Sequence, residues 1–323
     1  MNAVRVVPVK TVGQLRELAD SDLLKLRSLG RISLGHVHSF LRTCGQIEQG
    51  RQRFGTIQEV FALCLDDAER AVLAARYGLD RDPEKPSRRR TTLQQIADAK
   101  QITRERVRQV QDAGLRNLQS RLARACLQPF YDFLCAQLER KGGLAGVTDL
   151  MSLRSEPALG GMHPHGLLRL LSEVDPARLA SRHGYFSTLP LEFLLSLEAR
   201  MKTLLSQSGR PLTLEELLDR AGPEALAPLR QPAAALEALL NHDPDIAATT
   251  DGRFFLYGAG AGVFALEILS RMERPAHYRK ITTAFNEALK PEKRKGAGYM
   301  LELLIGTPRC TRVDRGIYDL KAE

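Results

Sequence analysis

The 323-residue chain contains no tryptophan, and aromatic residues make up only 6% of it. Its cores must therefore be aliphatic, since large rings are too few to fill them. Five cysteines, Cys44, Cys64, Cys126, Cys135 and Cys310, form an odd set without a CxxC pair. They read as reduced core thiols of a cytoplasmic protein, not as a disulfide framework. No run of eighteen apolar residues occurs, which excludes an ordinary membrane-spanning helix. The opening MNAVRVVPVK is too short in its apolar stretch for a signal peptide.

The common catalytic motifs are missing too. The sequence has no P-loop, GxGxxG, HExxH or GxSxG. The nearest thing to a metal pair is His163 and His165 around Pro164, with no cysteine near and no regular element expected there. They read as loop histidines. Asp66 and Asp67 are neighbours that point apart on a helix, so they suit an N-terminal cap better than acid/base work. These absences predict a non-enzymatic protein that needs neither metal nor cofactor.

What the chain does have is positive charge, +9 overall, and it is concentrated. Residues 80–124 hold twelve Lys/Arg against six Asp/Glu, the footprint of a phosphate-backbone partner. Within that stretch, TTLQQIADAKQITRERVRQVQDAGLRNL has a helical pattern interrupted once. Thr92 is placed to cap a helix to about Ala99, and Thr103 to cap a second, longer one. Ile96, Ile102, Val107, Val110 and Leu115 fall on the inward face, leaving Arg104, Glu105, Arg108 and Gln109 outward. This is a helix-turn-helix with a polar, basic second helix. A helical stretch over about 55–79 precedes it, with Gly78 as its C-cap, and DRDPEKPSRRR between them reads as an exposed loop.

Nearer the start, residues 11–45 read as helix, tight turn, helix. Leu15, Leu18, Leu23, Leu24 and Leu26 keep helical spacing, and Gly30 supplies the turn before Ser33. The LGRIS turn has the character of a helix-hairpin-helix, which can aim backbone N–H groups at a phosphate. After a helix ending near Arg140, a loose repeat begins. Its units end in HGYFST, DGRFFLYG and RGIYDL, with Gly184, Gly252 and Gly316 about 65 residues apart. Each ending follows an apolar helix and looks like a β-hairpin, so each unit is expected to be a winged helix. The middle unit carries four basic and eight acidic residues, the third twelve and eight. An acidic unit repels phosphate, so the middle one suits a spacer or protein-binding role.

The segment TLQQIADAKQITRERVRQVQDAGLRNL closely resembles region 4.2 of the sigma-70 family, and AERAVLAARYGL resembles region 4.1. The resemblance covers roughly residues 60–122. It implies double-stranded DNA as a partner, and contact with the flap of the RNA polymerase beta subunit. Carried onto matching positions, it turns Arg104, Glu105 and Gln109 toward base edges, which suits guanine, cytosine and adenine respectively. Thr92, Leu93, Arg106 and Arg108 position the backbone, with Thr103 opening the recognition helix. Ala113 stands where the family often has lysine, and Gly114 costs about 1 kcal/mol of helix propensity relative to alanine. Residues 11–45 resemble the C-terminal domain of the polymerase alpha subunit, which implies phosphate contacts from Gly30, Arg31 and Ser33. Ile32 stands there in place of an expected basic residue, and the family's leading helix has no counterpart. The later repeats resemble the HARE-HTH winged helices of polymerase-associated and restriction-linked proteins. Nothing resembles sigma region 2.

The expected fold is mainly α: a helix-hairpin-helix segment (1–54), a sigma region 4-like helix-turn-helix (55–140) and tandem winged helices with small β-hairpin wings. The wings belong to repeats at 141–207, 208–262 and 263–323. The expected function is a cytoplasmic bacterial transcription regulator that binds duplex DNA. The alternative is a DNA-binding or scaffold subunit of a larger assembly, such as a phage-defence or restriction-linked complex, with protein partners on the acidic repeat.

Overall fold

The computed structural model describes residues 11–24, 31–49, 54–81, 91–146, 148–272 and 274–321. They form a mainly helical protein with three small antiparallel sheets, and divide into two compact units. The first unit takes the described parts of 11–76, with 91–131 and 155–161; the second takes the rest.

The first unit opens with α1 (Val12–Glu17), α2 (Asp20–Leu24) and α3 (Arg31–Glu48). Thr11 caps α1 by accepting the Gln14 N–H at 3.1 Å. Leu15, Leu23 and Val37 bury together, whereas Leu24, on the same apolar spacing, is largely exposed. The Gly30 turn lies outside the described residues. The helical stretch expected over 55–79 is broken into α4 (Ile57–Cys64) and α5 (Asp67–Tyr77). The break at Leu65 and Asp66 has a cause in the sequence. Asp66 accepts the Glu69 N–H at 2.8 Å while the Glu69 carboxylate accepts the Asp66 N–H at 3.0 Å. This reciprocal capping starts a helix. Gly78 then ends α5 at φ +69°. Next come α6 (Leu93–Lys100), α7 (Arg104–Leu118) and α8 (Arg121–Glu139).

In the second unit one order recurs: a helix, a strand, more helix, then a hairpin. The first round has β1 (Leu144–Gly146), α9 (Pro164–Val174), β2 (Ala180–Arg182) and β3 (Tyr185–Ser187). The second has α10 (Leu191–Ser208), β4 (Leu212–Thr213), α11 (Leu214–Ala221), α12 (Pro223–Leu226), α13 (Pro232–His242), β5 (Ile246–Ala248) and β6 (Arg253–Leu256). The third has α14 (Ala261–Ser270), β7 (Ala276–His277), α15 (Tyr278–Glu287), α16 (Ala297–Gly306), β8 (Cys310–Asp314) and β9 (Ile317–Leu320). In every sheet the last strand sits in the centre, in the orders β1-β3-β2, β4-β6-β5 and β7-β9-β8. Gly184, Gly252 and Gly316 have φ of +90°, +82° and +75°, so each repeat glycine makes the left-handed bend of its hairpin.

The second sheet is buried on both faces. Ile246, Ala248 and Phe254 join a core with Leu194 and Met201 of α10 and with Leu217 and Leu236. Their strand neighbours Ala247 and Phe255 join another with Phe264, Phe285 and Met300. Alternate strand residues point to opposite faces, so two cores share one thin sheet. The Phe255 ring lies 5.0 Å from that of Phe264 and 6.2 Å from that of Phe285, so this core is built on rings, against the aliphatic core that the low aromatic content predicts. This double burial explains why the strand reads as a continuous apolar run. The third hairpin has no such cover, and β8 is mostly exposed.

The structure corrects the reading of the two histidines. His163 occupies the N-cap position of α9 without a side-chain capping bond, His165 lies in the first turn, and each is only 3% exposed. Pro164 occupies the first helical position, where proline's fixed φ favours a helix start. The His165 ring meets Phe186 edge-on at 5.5 Å. These are core histidines.

Candidate nucleic-acid interface

The two helices of the helix-turn-helix begin at the residues whose chemistry caps them. Thr92 accepts the Gln95 N–H at 3.2 Å, and the Gln95 side chain accepts the Thr92 N–H at 2.8 Å. Thr103 accepts the Arg106 N–H at 3.1 Å. Between them Gln101 turns left-handed, φ +53° and ψ +41°, and ends α6. That turn moves Ile102 off the helical register. Ile102 is 39% exposed, contrary to the inward face its spacing predicts. The core under the motif is Ile96 and Ala97 of α6, Val107 and Val110 of α7, and Val72 of α5, with Leu93 half-buried against it.

Gly114 has a packing role that its propensity cost conceals. A Cβ there would lie 3.0 Å from Leu73 Cδ1 and 3.4 Å from Glu69 Cβ. Glycine thus lets α7 approach α5. One turn on, the Asn117 amide donates to both Glu69 carboxylate oxygens at 3.0 Å. Glu69, 5% exposed, is therefore satisfied twice, by its own cap and by α7. The Asp66-x-x-Glu69 spacing carried the signal for that box; nothing in the sequence marked Asn117.

Val107, Val110, Gly114 and Leu118 form the buried stripe of α7. At 100° per residue the opposite face displays Glu105, Arg108, Gln109 and Asp112, while Arg104 and Arg106 lie on its two flanks. Arg104, Glu105, Arg106, Arg108 and Gln109 are all exposed. Their electrostatics are uneven. Arg108 is clasped on two sides: Nε and Nη2 donate to Glu105 at 2.9 and 2.7 Å, and Nη1 donates to Asp112 at 2.7 Å. Hydrogen bonding from Arg108, with help from Gln109 and the nearby Arg104 charge, holds the Glu105 carboxyl below its ordinary value. The Gln109 amide donates to Glu105 at 3.3 Å. Among the described residues, Arg104 and Arg106 join no ion pair. The outward face thus largely neutralises itself, and Arg104 and Arg106 stand on its flanks outside the clasp.

The phosphate contacts expected from the first segment fall on Gly30, Arg31 and Ser33. Arg31 and Ser33 fall in the first turn of α3, but their side chains, like Gly30, lie outside the described residues. One group elsewhere has the makeup of metal ligands: His183, Glu198 and Asp243 place donor atoms within 4.8 Å of one another. Both carboxylates are already engaged. Glu198 accepts from Arg182 Nε at 2.6 Å and from the Tyr185 hydroxyl, and Asp243 lies 3.0 Å from the Lys202 ammonium. The cluster is an internal ion-pair network. No helix among the described residues is long and apolar enough to cross a membrane.

A family model described as Sigma-70, region 4 matches residues 63–120. The match runs from the end of α4 through α5, α6 and α7, the elements that share the core described above. No curated protein and no solved structure matches the chain. Residues 63–120 are a helix-turn-helix of the sigma-70 region 4 type, a DNA-binding domain and not a catalytic one.

Proposed function

We propose that this protein is a non-enzymatic regulator of transcription that reads duplex DNA with α7. The observation that carries the reading is the exposed surface of α7, which offers Gln109 on its outward face and Arg104 on the flank of its first turn, each helix of the motif being capped by a threonine. Arg104 suits the O6 and N7 acceptors of guanine, Gln109 the N6 and N7 of adenine, and Glu105 the N4 amine of cytosine. Arg106 on the flank, with Thr92 and Leu93 at the start of α6, positions the phosphate backbone, and Arg108 joins them only where its clasp by Glu105 and Asp112 opens. Residues 60–79 are the surface for RNA polymerase. The strand-and-hairpin modules of the second unit are winged helices, the acidic middle one serving protein contacts.

The test is fluorescence anisotropy with selected and random duplexes at two salt concentrations, beside an Arg104→Ala, Gln109→Ala variant. The expected result is a preference for the selected site of several kcal/mol, with roughly 1–3 kcal/mol lost per wrong base pair, and its disappearance in the variant. No duplex binding at low salt would overturn the reading. A second reading, a DNA-binding subunit of a larger assembly, is favoured by the three modules that fill most of the second unit. It expects equal binding to all duplexes, insensitive to the variant, with affinity falling steeply with salt.

A further inference from the structure

The second unit holds a cleft of about 1000 Å³ that the helix-turn-helix does not use. Its cations come from two places in the chain. Arg140 and Lys141 follow directly on α8, and Lys290, Lys293, Arg294 and Lys295 lie on the segment joining α15 to α16. Three carboxylates, Asp149, Glu237 and Glu292, also line it, leaving the walls at +3.

The cations on the joining segment are held in place. Asn286 grips Lys295 at both backbone groups, accepting its N–H at 2.9 Å and donating to its carbonyl at 2.8 Å, and Arg294 Nε donates to the Asn286 carbonyl at 3.1 Å. The Lys295 ammonium sits 3.8 Å from the centre of the Tyr257 ring and 5.6 Å from that of Tyr299. Aromatic faces fix an ammonium without neutralising it. Lys293 is 6% exposed, and its ammonium donates to the Asp243 carbonyl. Gathering like charges on a rigid segment costs Coulomb energy, which an anion in the cleft returns. The arrangement is already ordered for that anion, so little entropy is lost on binding.

We propose that this cleft binds a phosphate-bearing ligand of about three negative charges: the polyphosphate of a free nucleotide, or the backbone of a single nucleic-acid strand. The volume lies at the upper end of small-molecule sites, which run to roughly 1,000 Å³. The site shares no residue with α7, so it stands or falls independently of the reading of that helix.

The full-length protein is titrated at low salt with tripolyphosphate, adenosine triphosphate and a fluorescent oligothymidylate of about ten nucleotides. Beside it run an Arg294→Glu, Lys295→Glu variant and an Arg104→Ala, Arg106→Ala variant. At least one probe binds, the cleft variant loses at least about tenfold in affinity for it, and the α7 variant binds it as wild type does. Binding of the two small probes alone identifies a nucleotide site; binding of the strand alone identifies a backbone site. If the first variant fails to fold, Arg140→Glu, Lys141→Glu shows the same loss from the other set of cations. Failure to bind any probe, binding that the cleft variants leave unchanged, or binding lost in the α7 variant overturns the proposal.

Discussion

Replacing Glu105 by glutamine should strengthen non-specific duplex binding and steepen its dependence on salt. In the free protein two of the three Arg108 donors with partners point at Glu105, at 2.9 and 2.7 Å, and the third at Asp112. With its flank at Arg104 included, the outward face sets Arg104 and Arg108 against Glu105 and Asp112, a balance of zero. Glu105→Gln makes that face +1 and loosens the clasp, so Arg108 becomes available to a phosphate. Each phosphate neutralised adds about 0.9 to the slope of log affinity against log salt. Between 50 and 200 mM salt, one extra contact widens the affinity ratio ~3.5-fold relative to wild type. Anisotropy titrations of a random duplex at four or five salt concentrations give both slopes directly. Asp112→Asn, which removes the weaker side of the clasp, should steepen the slope less. The Arg108 bond also fixes how pH acts. Because it lowers the Glu105 carboxyl, the clasp is whole above the ordinary carboxylate range and is lost only as pH falls through the lowered value. Wild-type slopes at pH 7 and pH 5 should therefore agree. An unchanged slope in Glu105→Gln would mean that Arg108 never turns to DNA, and the description of this face as self-neutralised but convertible would be wrong.

Four further outcomes test the supports of the motif and the second unit. Asn117→Ala strips both α7 hydrogen bonds from the Glu69 carboxylate and should cost about 1–3 kcal/mol in urea unfolding. Gly114→Val should cost about 1–3 kcal/mol as well, because a side chain 3.0 Å from Leu73 overpacks the contact between α5 and α7. An equally stable variant would show that those helices can separate freely. Glu198→Leu leaves the buried Tyr185 hydroxyl without its acceptor and the part-exposed Arg182 without its partner, and should destabilise by about 1–3 kcal/mol in a denaturant melt, while a Tyr185→Phe change costs less. Arg106→Ala should lower the salt slope by about 0.9 with sequence preference intact, whereas Gln109→Ala should reduce preference and leave the slope alone.

The sequence reveals an element most clearly where one residue type does one local job. Thr92 and Thr103 are legible because a hydroxyl at a helix start has a single strong use, and both cap the helices their positions predict. Gly184, Gly252 and Gly316 are legible because a two-stranded hairpin needs a left-handed bend. The failures are tertiary. Ile102 lies on an apolar spacing that holds only if the helix continues, and Gln101 breaks the register just before it. His163 and His165 look like loop polar residues until α9 forms on Pro164 and Phe186 is brought beside His165. Gly114 looks like a weakness in α7 because its reason, Leu73, lies 41 residues earlier in the chain. The cleft could not be read at all, since its two groups of cations are some 150 residues apart in sequence.

The charge pattern of α7 separates two tasks that a simple basic helix would merge. A helix bearing only cations holds any duplex about equally, because phosphate attraction carries no sequence information. If α7 reads bases as proposed above, its acidic Glu105 and Asp112 cancel most of that attraction on the outward face, and the two cations of its first turn outside any ion pair, Arg104 and Arg106, stand on the flanks. A wrong base pair then faces a carboxylate and a clasped guanidinium, and must break the clasp or leave a donor unmatched. On the proposed reading a right one engages Gln109 and the flanking Arg104 without disturbing it. Discrimination of this kind rests on penalties against the wrong partner as much as on contacts with the right one. It follows that much of the affinity for phosphate comes from cations off this face. That leaves the recognition helix free to be selective at the expense of raw binding strength.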